Sequence, residues 1–230
     1  MERRDRLLPE AFGPLQGVRV LSTGNFIAQP FAATLCAEMG AEVVQTEPPQ
    51  GDFMREVEFT LPTKEGGEIG SLWVQDRRCA LDITLNTATS KGRDLFLRLI
   101  PHMVIWFLSY NVGTDARHGL DVGTVLSVNP RLVIVHVSGY GQRGHPEYVG
   151  RTSYDFIGQA FGGMMYLTGF PDPDPPVRAT PWTGDYITAL FCLWSALAGY
   201  ISAQRTGQGQ VIDLAQFEAV HRCLAGPMVA

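Results

Sequence analysis

The feature of this sequence that most limits its fold is a repeated alternation of short apolar segments with helical patterns. The first unit runs from a β-rich segment at 17–22, through a helical pattern at 31–39, to a second strand pattern at 42–46. Pro30 stands where this helix would start, and proline fits the first helical turn because the N–H there has no helical partner to lose. Gly40 ends the pattern, as glycine commonly does after a helix. A strand–helix–strand unit of this kind opens a parallel, doubly wound sheet.

The alternation continues along the rest of the chain. Segment 131–137 is apolar almost throughout, and strands of this type expect helices on both faces of the sheet. Further strands are predicted at 79–83, 103–108 and 211–214, helices at 90–100, 122–128, 154–167, 183–204 and from about 215, and loops at 138–150 and 169–181. The predicted fold class is therefore α/β, with a doubly wound, Rossmann-like and mostly parallel sheet flanked by helices.

Charge and cysteine usage exclude several classes of function. The 230 residues carry a net charge of −5 and no dense run of lysine or arginine, so the electrostatic footprint of a nucleic-acid-binding protein is missing. An anionic partner must then be held by a few placed arginines and by backbone amides. The cysteines have no CxxC spacing and lie in apolar surroundings, which indicates buried thiols in a reducing compartment and neither disulfides nor a metal site. They are Cys36, Cys79, Cys192 and Cys223.

Two segments bear on localisation. Residues 1–6 are charged and no apolar region follows them, so they do not resemble a signal peptide. Residues 186–203 run for 18 positions without a charge, which approaches the length of a membrane-spanning helix. The stretch contains Thr188, Ser195 and Gly199, and charged residues flank it closely, so a buried helix of a soluble α/β core is the preferred interpretation. We therefore predict a cytoplasmic protein that does not enter a membrane.

The turn after the first strand, Gly24-Asn-Phe-Ile-Ala-Gln-Pro30, is a candidate binding loop. It lacks the GxGxxG spacing of dinucleotide-binding proteins. A polar turn at the carboxyl end of a strand, facing a helix N-terminus, is nevertheless where α/β sheets place their ligands. An ordinary connection is the alternative.

Asp185 is the candidate nucleophile. It follows Thr183 and Gly184 at the start of the longest apolar helical pattern. Glycine permits a close approach, and the helix dipole favours a carboxylate in the first turn. An ionised carboxylate beside an apolar wall is able to act as a nucleophile. The alternative is an aspartate that only caps the helix.

Four arginines in or near predicted loops, Arg55, Arg77, Arg78 and Arg117, are candidate phosphate ligands. Guanidinium groups suit phosphate because their N–H groups form a planar fork. For any single one of them, a solvated surface position is the preferred interpretation. The junction Arg205–Asp213 is explained by a glycine turn and is assigned no chemistry.

Longer motifs, taken together, resemble the opening of the class III CoA-transferases of the CaiB/BaiF type. They are Pro14-Leu-Gln-Gly-Val-Arg-Val-Leu21, Ala28-Gln-Pro-Phe-Ala32, Gly40-Ala-Glu-Val-Val44 with Glu47, Asn129-Pro-Arg-Leu-Val133, Ser138-Gly-Tyr-Gly-Gln-Arg-Gly144, Ser153-Tyr-Asp-Phe-Ile-Gly-Gln-Ala160, Gly184-Asp-Tyr186 and Arg205-Thr-Gly-Gln-Gly-Gln210. The match runs from about Phe12 to Glu218, and the combination is specific although each motif alone is weak. The carnitine (crotonobetaine/γ-butyrobetaine) branch resembles this chain most, through 28–32, 136–139 and 183–186.

The resemblance implies a mechanism and a set of site residues. In that family an aspartate attacks an acyl-CoA thioester to give a mixed anhydride, CoA thiolate captures the aspartyl group, and an acceptor acid then removes CoA. Asp185 matches this aspartate, so the implied substrates are acyl-CoA and a small carboxylic acid, with coenzyme A and no metal as cofactor. The implied CoA contacts are Asn25, Phe26, Ile27 and Ala28 at the thiol end, Arg117 near the phosphates and Tyr154 beside the cofactor.

The chain departs from the family pattern near the expected CoA pocket. Pro48 replaces the basic residue that usually follows the glutamate of the second strand. Residues 75–78 shorten the usual Asn-Arg-Asn-Lys-like stretch, and 105–113 differ from the usual Val-Glu-Asn-Phe-Arg-Pro-Gly. These departures bear on the affinity for CoA.

Family members are nearly twice as long as this chain. We therefore predict an N-terminal extension at 1–12, the Rossmann-like large domain at 13–214, and the start of a truncated helix at 215–230. A homodimer is expected, or a partner chain that supplies the missing C-terminal half. Two alternative functions stay open, an α-methylacyl-CoA racemase and a non-catalytic CoA-binding or partner subunit. Tyr154 stands where racemases carry a histidine base, which disfavours the first alternative.

Overall fold

The computed structural model describes residues 12–224 and 226. The elements follow in the order β1 (Arg19–Thr23), α1 (Ala28–Glu38), β2 (Glu42–Glu47), β3 (Thr60–Pro62), β4 (Glu68–Gly70), α2 (Ser71–Asp76), β5 (Leu81–Thr84), α3 (Ser90–Leu99), β6 (Ile105–Leu108), α4 (Thr114–Arg117), α5 (Val122–Val128), β7 (Val133–Ser138), α6 (Asp155–Phe161), α7 (Met164–Thr168), α8 (Thr183–Thr206), β8 (Val211–Ala215) and α9 (Gln216–Arg222). Most of 1–12 lies outside the described residues.

The main sheet has the strand order β5-β2-β1-β6-β7-β8, and every neighbouring pair is parallel. From β1 the chain adds β2 and β5 on one side and β6, β7 and β8 on the other. The strand order therefore reverses between β1 and β6, and parallel sheets bind ligands at the carboxyl ends of the strands on either side of such a reversal. The predicted α/β class and mostly parallel sheet are confirmed.

Successive residues of the central strands pack into two different cores, because side chains alternate across a strand. Val20 packs on the face covered by α1 and α8, while Leu21 packs on the face covered by α3 and α5. On β6, Phe107 joins the first core and Trp106 the second. The expected cover on both faces is therefore present.

Local signals set the helix boundaries. The Asp121 side chain accepts a hydrogen bond from the Thr124 N–H at the start of α5, at 3.1 Å. Gly40, after α1, has a φ of 96°, and a β-carbon there would lie 1.6 Å from the Phe12 carbonyl oxygen. Only glycine fits this stop.

Three predictions need correction. The helix predicted at 154–167 is two helices, α6 and α7, because Gly163 takes a φ of 92° between them. The strand predicted from Cys79 starts at Leu81, since Cys79 has a φ of 66°. The cysteines are all free, but only Cys36 and Cys192 are buried, whereas Cys79 and Cys223 are exposed.

Helix α8 is long and apolar enough to cross a membrane by length and composition alone. Its small residues Ala189, Cys192 and Ala196 are fully buried in the core it shares with α1 and β7. Its opposite face is open, with Leu190 and Trp194 exposed at 55% and 67%. The prediction of a helix in an α/β core holds for the first face only.

Candidate active site

A cavity of about 610 Å³ opens at the carboxyl ends of β1, β6 and β7, where the strand order reverses. The turn after β1 contributes Gly24, Asn25 and Phe26, and the segment after β6 contributes 109–112. The end of β7 and the loop after it contribute 137–141 and 150–154. Asp185 at the start of α8 and Gln216 after β8 complete this side of the wall. The predicted turn and the predicted nucleophile therefore share one cavity.

Asp185 is held in place from the neighbouring helix α6. Its backbone N–H donates to Oδ1 of Asp155 at 3.1 Å, and the Gln159 amide donates to the other Asp155 oxygen at 2.7 Å. Gly184 allows this approach, because a β-carbon there would lie 2.9 Å from the Asp155 carbonyl oxygen. The expected close approach at Gly184 is confirmed. The Asp155 side chain fixes the first turn of α8 by accepting the hydrogen bond from the Asp185 N–H.

The Asp185 carboxyl group is buried, with the residue 3% exposed. Its Oδ1 accepts a hydrogen bond from Gln216 Nε2 at 2.5 Å. Its Oδ2 has no hydrogen-bond partner among the described residues. Burial raises the pKa of Asp185 to about 8, and the negative charge of Asp155 adds to this rise. The helix dipole favours the ionised form at this position, but lost hydration outweighs it.

Gln216 is a site residue that the sequence did not indicate. It is the first residue of α9, directly after β8, and its Oε1 accepts a hydrogen bond from Ser153 Oγ at 2.7 Å. The one available signal was its position after a parallel strand, where ligand-binding groups of α/β sheets collect.

The turn at Phe26 adopts an unusual backbone conformation, with a φ of 68°. The buried Arg77 donates to the Phe26 carbonyl oxygen at 3.0 Å and to Asp52 at 2.9 Å. The Phe26 ring lies 4.9 Å from Tyr154 and 5.7 Å from Trp182, measured between ring centroids. A strained backbone held by buried contacts is typical of ligand-binding loops.

The predicted CoA contacts do not all reach the cavity. Asn25, Phe26, Ala28 and Tyr154 line it. Ile27 is fully buried and packs with Met54, Leu72 and Trp73, outside the cavity wall. Arg117 is exposed on α4 and donates to Thr114 at 2.6 Å; Thr114 itself lines the cavity.

The other candidate arginines are engaged elsewhere. Arg77 is 4% exposed and paired with Asp52, so the expected solvated surface position is wrong for it. Arg55 makes a two-point ion pair with Glu47 and stacks on Trp73. Arg78 pairs with Glu38 at the surface. As placed, none of the three offers a free guanidinium fork to the cavity.

Polar atoms without partners collect in the cavity wall. Within the described residues, these buried atoms include Gln29 Oε1, Ser109 Oγ and Ser138 Oγ besides Asp185 Oδ2. Buried polar atoms are normally paired, so this set is suited to a polar ligand. No cluster of three or more histidine, cysteine, aspartate or glutamate residues suited to a metal ion occurs in the described part.

Comparison with known proteins defines the family. Residues 15–230 match the profile of CoA-transferase family III, so the chain belongs to this family. It is 41% identical over 213 residues to the bile acid CoA-transferase BaiK of Clostridium scindens, covering 93% of this chain and 46% of that protein. It is 37% identical to the L-carnitine CoA-transferase of Proteus mirabilis, covering 92% and 49%.

One further relative and one solved structure are also similar to this chain. The succinyl-CoA–L-malate CoA-transferase alpha subunit of Chloroflexus aurantiacus is 37% identical, with 92% of this chain and 48% of that subunit covered. The crystal structure of a CAIB/BAIF family protein from Brucella suis superposes with a TM-score of 0.88 at 30% identity, covering 93% of this chain and 56% of that one. The chain thus spans about half the length of these curated relatives. Identity alone does not single out the carnitine branch.

Proposed function

We propose that this chain carries the nucleophile and part of the CoA pocket of a CoA-transferase, with Asp185 as the nucleophile. The observation that supports this most is the unpartnered Oδ2 of Asp185, buried in the wall of the cavity. Once ionised, a carboxylate oxygen with a raised pKa and no hydrogen bond is more nucleophilic than one that is solvated or shared. The family membership of the chain supports the same assignment.

The proposed chemistry splits one difficult transfer into easier steps. Asp185 attacks the acyl-CoA thioester to give a mixed anhydride and CoA thiolate. The thiolate then attacks the aspartyl carbonyl, which releases the donor acid and leaves an aspartyl-CoA thioester. An acceptor carboxylate takes the aspartyl group as a second anhydride, and the thiolate finally attacks its acyl carbon to give the new acyl-CoA.

The proposed ligand of the cavity is the thiol end of CoA together with a small carboxylic acid. The residues that line the cavity and would contact this ligand are Asn25, Phe26, Ala28 and Tyr154. Ile27 would act only by packing behind the turn. Arg117 would reach the CoA phosphates only by turning away from Thr114. Relatives named for bile acids, L-malate and L-carnitine suggest acceptors to try.

The proposed location is the cytoplasm. The proposed assembly is a homodimer or a complex with a partner chain. Relatives named as alpha and beta subunits of one CoA-transferase support the second form. The open apolar face of α8 supports either form.

The test is CoA transfer from succinyl-CoA to L-malate, L-carnitine or a bile acid, followed by chromatography of the acyl-CoA products. Asp185→Asn keeps the size and the Gln216 contact but removes the anion, so transfer should fall at least about 1,000-fold. Asp94→Asn, at an exposed position on α3, is the matched control and should retain activity. Transfer that persists in Asp185→Asn would contradict the proposal.

A non-catalytic CoA-binding subunit is the second candidate, because residues 105–113 replace the usual Val-Glu-Asn-Phe-Arg-Pro-Gly stretch near the pocket. Binding of CoA, measured by calorimetry, without transfer to any acid in the presence of a partner chain would favour it.

A further inference from the structure

The two carboxyl oxygens of Asp185 have different surroundings. Oδ1 accepts a hydrogen bond from Gln216 Nε2 at 2.5 Å. Oδ2 is buried and unpartnered among the described residues. The two oxygen atoms exchange places whenever the free carboxylate rotates, so Gln216 fixes which position accepts its N–H and which position faces the substrate, whichever atom occupies it.

The Gln216 amide is fixed on two sides. Ser153 Oγ donates to its Oε1 at 2.7 Å, which leaves the nitrogen as the atom that faces Asp185. Gly158 lies against it so closely that a β-carbon there would be 2.6 Å from Gln216 Cδ. Gln216 itself is 4% exposed. The amide therefore approaches Asp185 as a preorganised N–H donor.

We propose that Gln216 divides the chemistry between the two oxygen positions of Asp185, so that the bridging oxygen of each anhydride lies in the Oδ2 position and the oxygen in the Oδ1 position stays the carbonyl oxygen. In this role the Gln216 amide also stabilises the negative charge on Oδ1 whenever the aspartyl carbonyl carbon is attacked. The proposal rests on the proposed function, since it concerns the same covalent intermediates.

Oδ2 attacks the acyl carbon of the thioester, the C–S bond breaks, and CoA leaves as the thiolate. The thiolate attacks Cγ of Asp185, the electron pair of the Cγ–Oδ1 double bond moves to Oδ1, and Gln216 donates its N–H there. Collapse breaks the bond between Cγ and Oδ2, so the donor acid leaves with that oxygen.

The second half of the cycle restores the carboxylate. An acceptor carboxylate oxygen attacks Cγ and expels the thiolate, again with charge on Oδ1. The thiolate then attacks the acyl carbon of the acceptor, and the bridging oxygen stays on Asp185 in the Oδ2 position. Each turnover thus replaces Oδ2 with an oxygen from the acceptor and retains Oδ1.

This prediction is tested by isotope counting. The protein turns over many times with succinyl-CoA and excess succinate that carries oxygen-18 in all carboxyl positions, and the Asp185 peptide is then weighed by mass spectrometry. The wild type should gain heavy oxygen in the Asp185 carboxyl group, because each turnover leaves an oxygen of the acceptor there. Turnover with no heavy oxygen would overturn the proposed function itself.

Variants separate this role from simple packing. Gln216→Leu should still gain heavy oxygen but lose about 100-fold or more in transfer rate, the usual effect of losing one oxyanion donor. An unchanged rate would overturn the role of Gln216 while leaving the nucleophile intact. Ser153→Ala, a milder change that frees the amide to rotate, should show a smaller loss of transfer rate in the same direction. Gln204→Leu makes the same substitution at an exposed position near the far end of α8 and should behave as wild type.

A measurement that needs no turnover tests the hydrogen bond between Gln216 and Asp185 independently. The Gln216 hydrogen bond lowers the pKa of Asp185 against the larger effect of burial. Carbon-13 NMR of labelled aspartate should therefore show a higher pKa for Asp185 in Gln216→Leu and in Ser153→Ala than in the wild type. An unchanged titration in both variants would overturn the contact.

Discussion

Replacing Asp185 with asparagine should stabilise the fold, and increasingly so as the pH rises. Burial raises the pKa of this carboxyl from 3.8 to about 8, whereas the unfolded chain restores the ordinary value. Below pH 3.8 the carboxyl group is protonated in both the folded and the unfolded protein, so its ionisation does not change the free energy of unfolding. As the pH rises above it, the unfolded state ionises first and gains free energy over the folded state, until the folded carboxyl ionises near pH 8.

The size of the effect follows from the pKa difference. A tenfold change in an acid constant corresponds to about 1.4 kcal/mol. Over the three pH units from 5 to 8, the wild type should therefore lose up to about 4 kcal/mol of unfolding free energy relative to Asp185→Asn. Asp155 and Asp76 raise the pKa of Asp185 by repulsion but remain in both proteins. The difference between the two proteins isolates the Asp185 carboxyl and its coupling to them.

The assay is urea unfolding followed by tryptophan fluorescence at pH 5, 6, 7 and 8, for both proteins. Asp94→Asn removes an exposed carboxylate from α3 and controls for the loss of one negative charge. The stability curves of wild type and Asp185→Asn should diverge with pH. Parallel curves would contradict this prediction, because they would show that lost hydration does not dominate at Asp185.

Three further predictions concern packing, chemistry and association. Gly184→Ala should destabilise the fold by about 1–3 kcal/mol in urea unfolding, because the new β-carbon meets Asp155; an unchanged midpoint would contradict this contact. A 2-methylacyl-CoA should not take up deuterium at its α-carbon, since Tyr154 supplies no histidine base; exchange that depends on Asp185 would contradict the transferase assignment. Sedimentation at micromolar concentration should show association through apolar surface such as Leu190 and Trp194, which are exposed at 55% and 67%; a stable monomer would contradict it.

Much of the sheet could be predicted because its strands carry strong local signals. Strands β6 and β7 are buried on both faces, and their continuous apolar runs made them visible in the sequence. The hairpin of β3 and β4 was not visible, since each strand has three residues and most of them are exposed. The break at Gly163 was missed because a single glycine inside a helical pattern is often tolerated.

The site could be predicted only as far as its parts are local. Asp185 stands at a helix start, and the turn after β1 stands at a strand end, so both were identified from their neighbours in sequence. Gln216 was missed because its partner Asp185 lies 31 residues away. The direction of the Asp185 pKa shift was missed for the same reason. The helix dipole is a local effect, whereas lost hydration depends on packing between distant segments.

Chemical trapping of the activated aspartyl group tests whether Asp185 forms a covalent intermediate with the acyl or CoA group. The protein is incubated with succinyl-CoA, quenched with hydroxylamine, digested and analysed by peptide mass spectrometry. We expect a single hydroxamate on the peptide that holds Asp185, formed only when succinyl-CoA is present and lost in Asp185→Asn. A hydroxamate on another residue, or one that persists in Asp185→Asn, would contradict it.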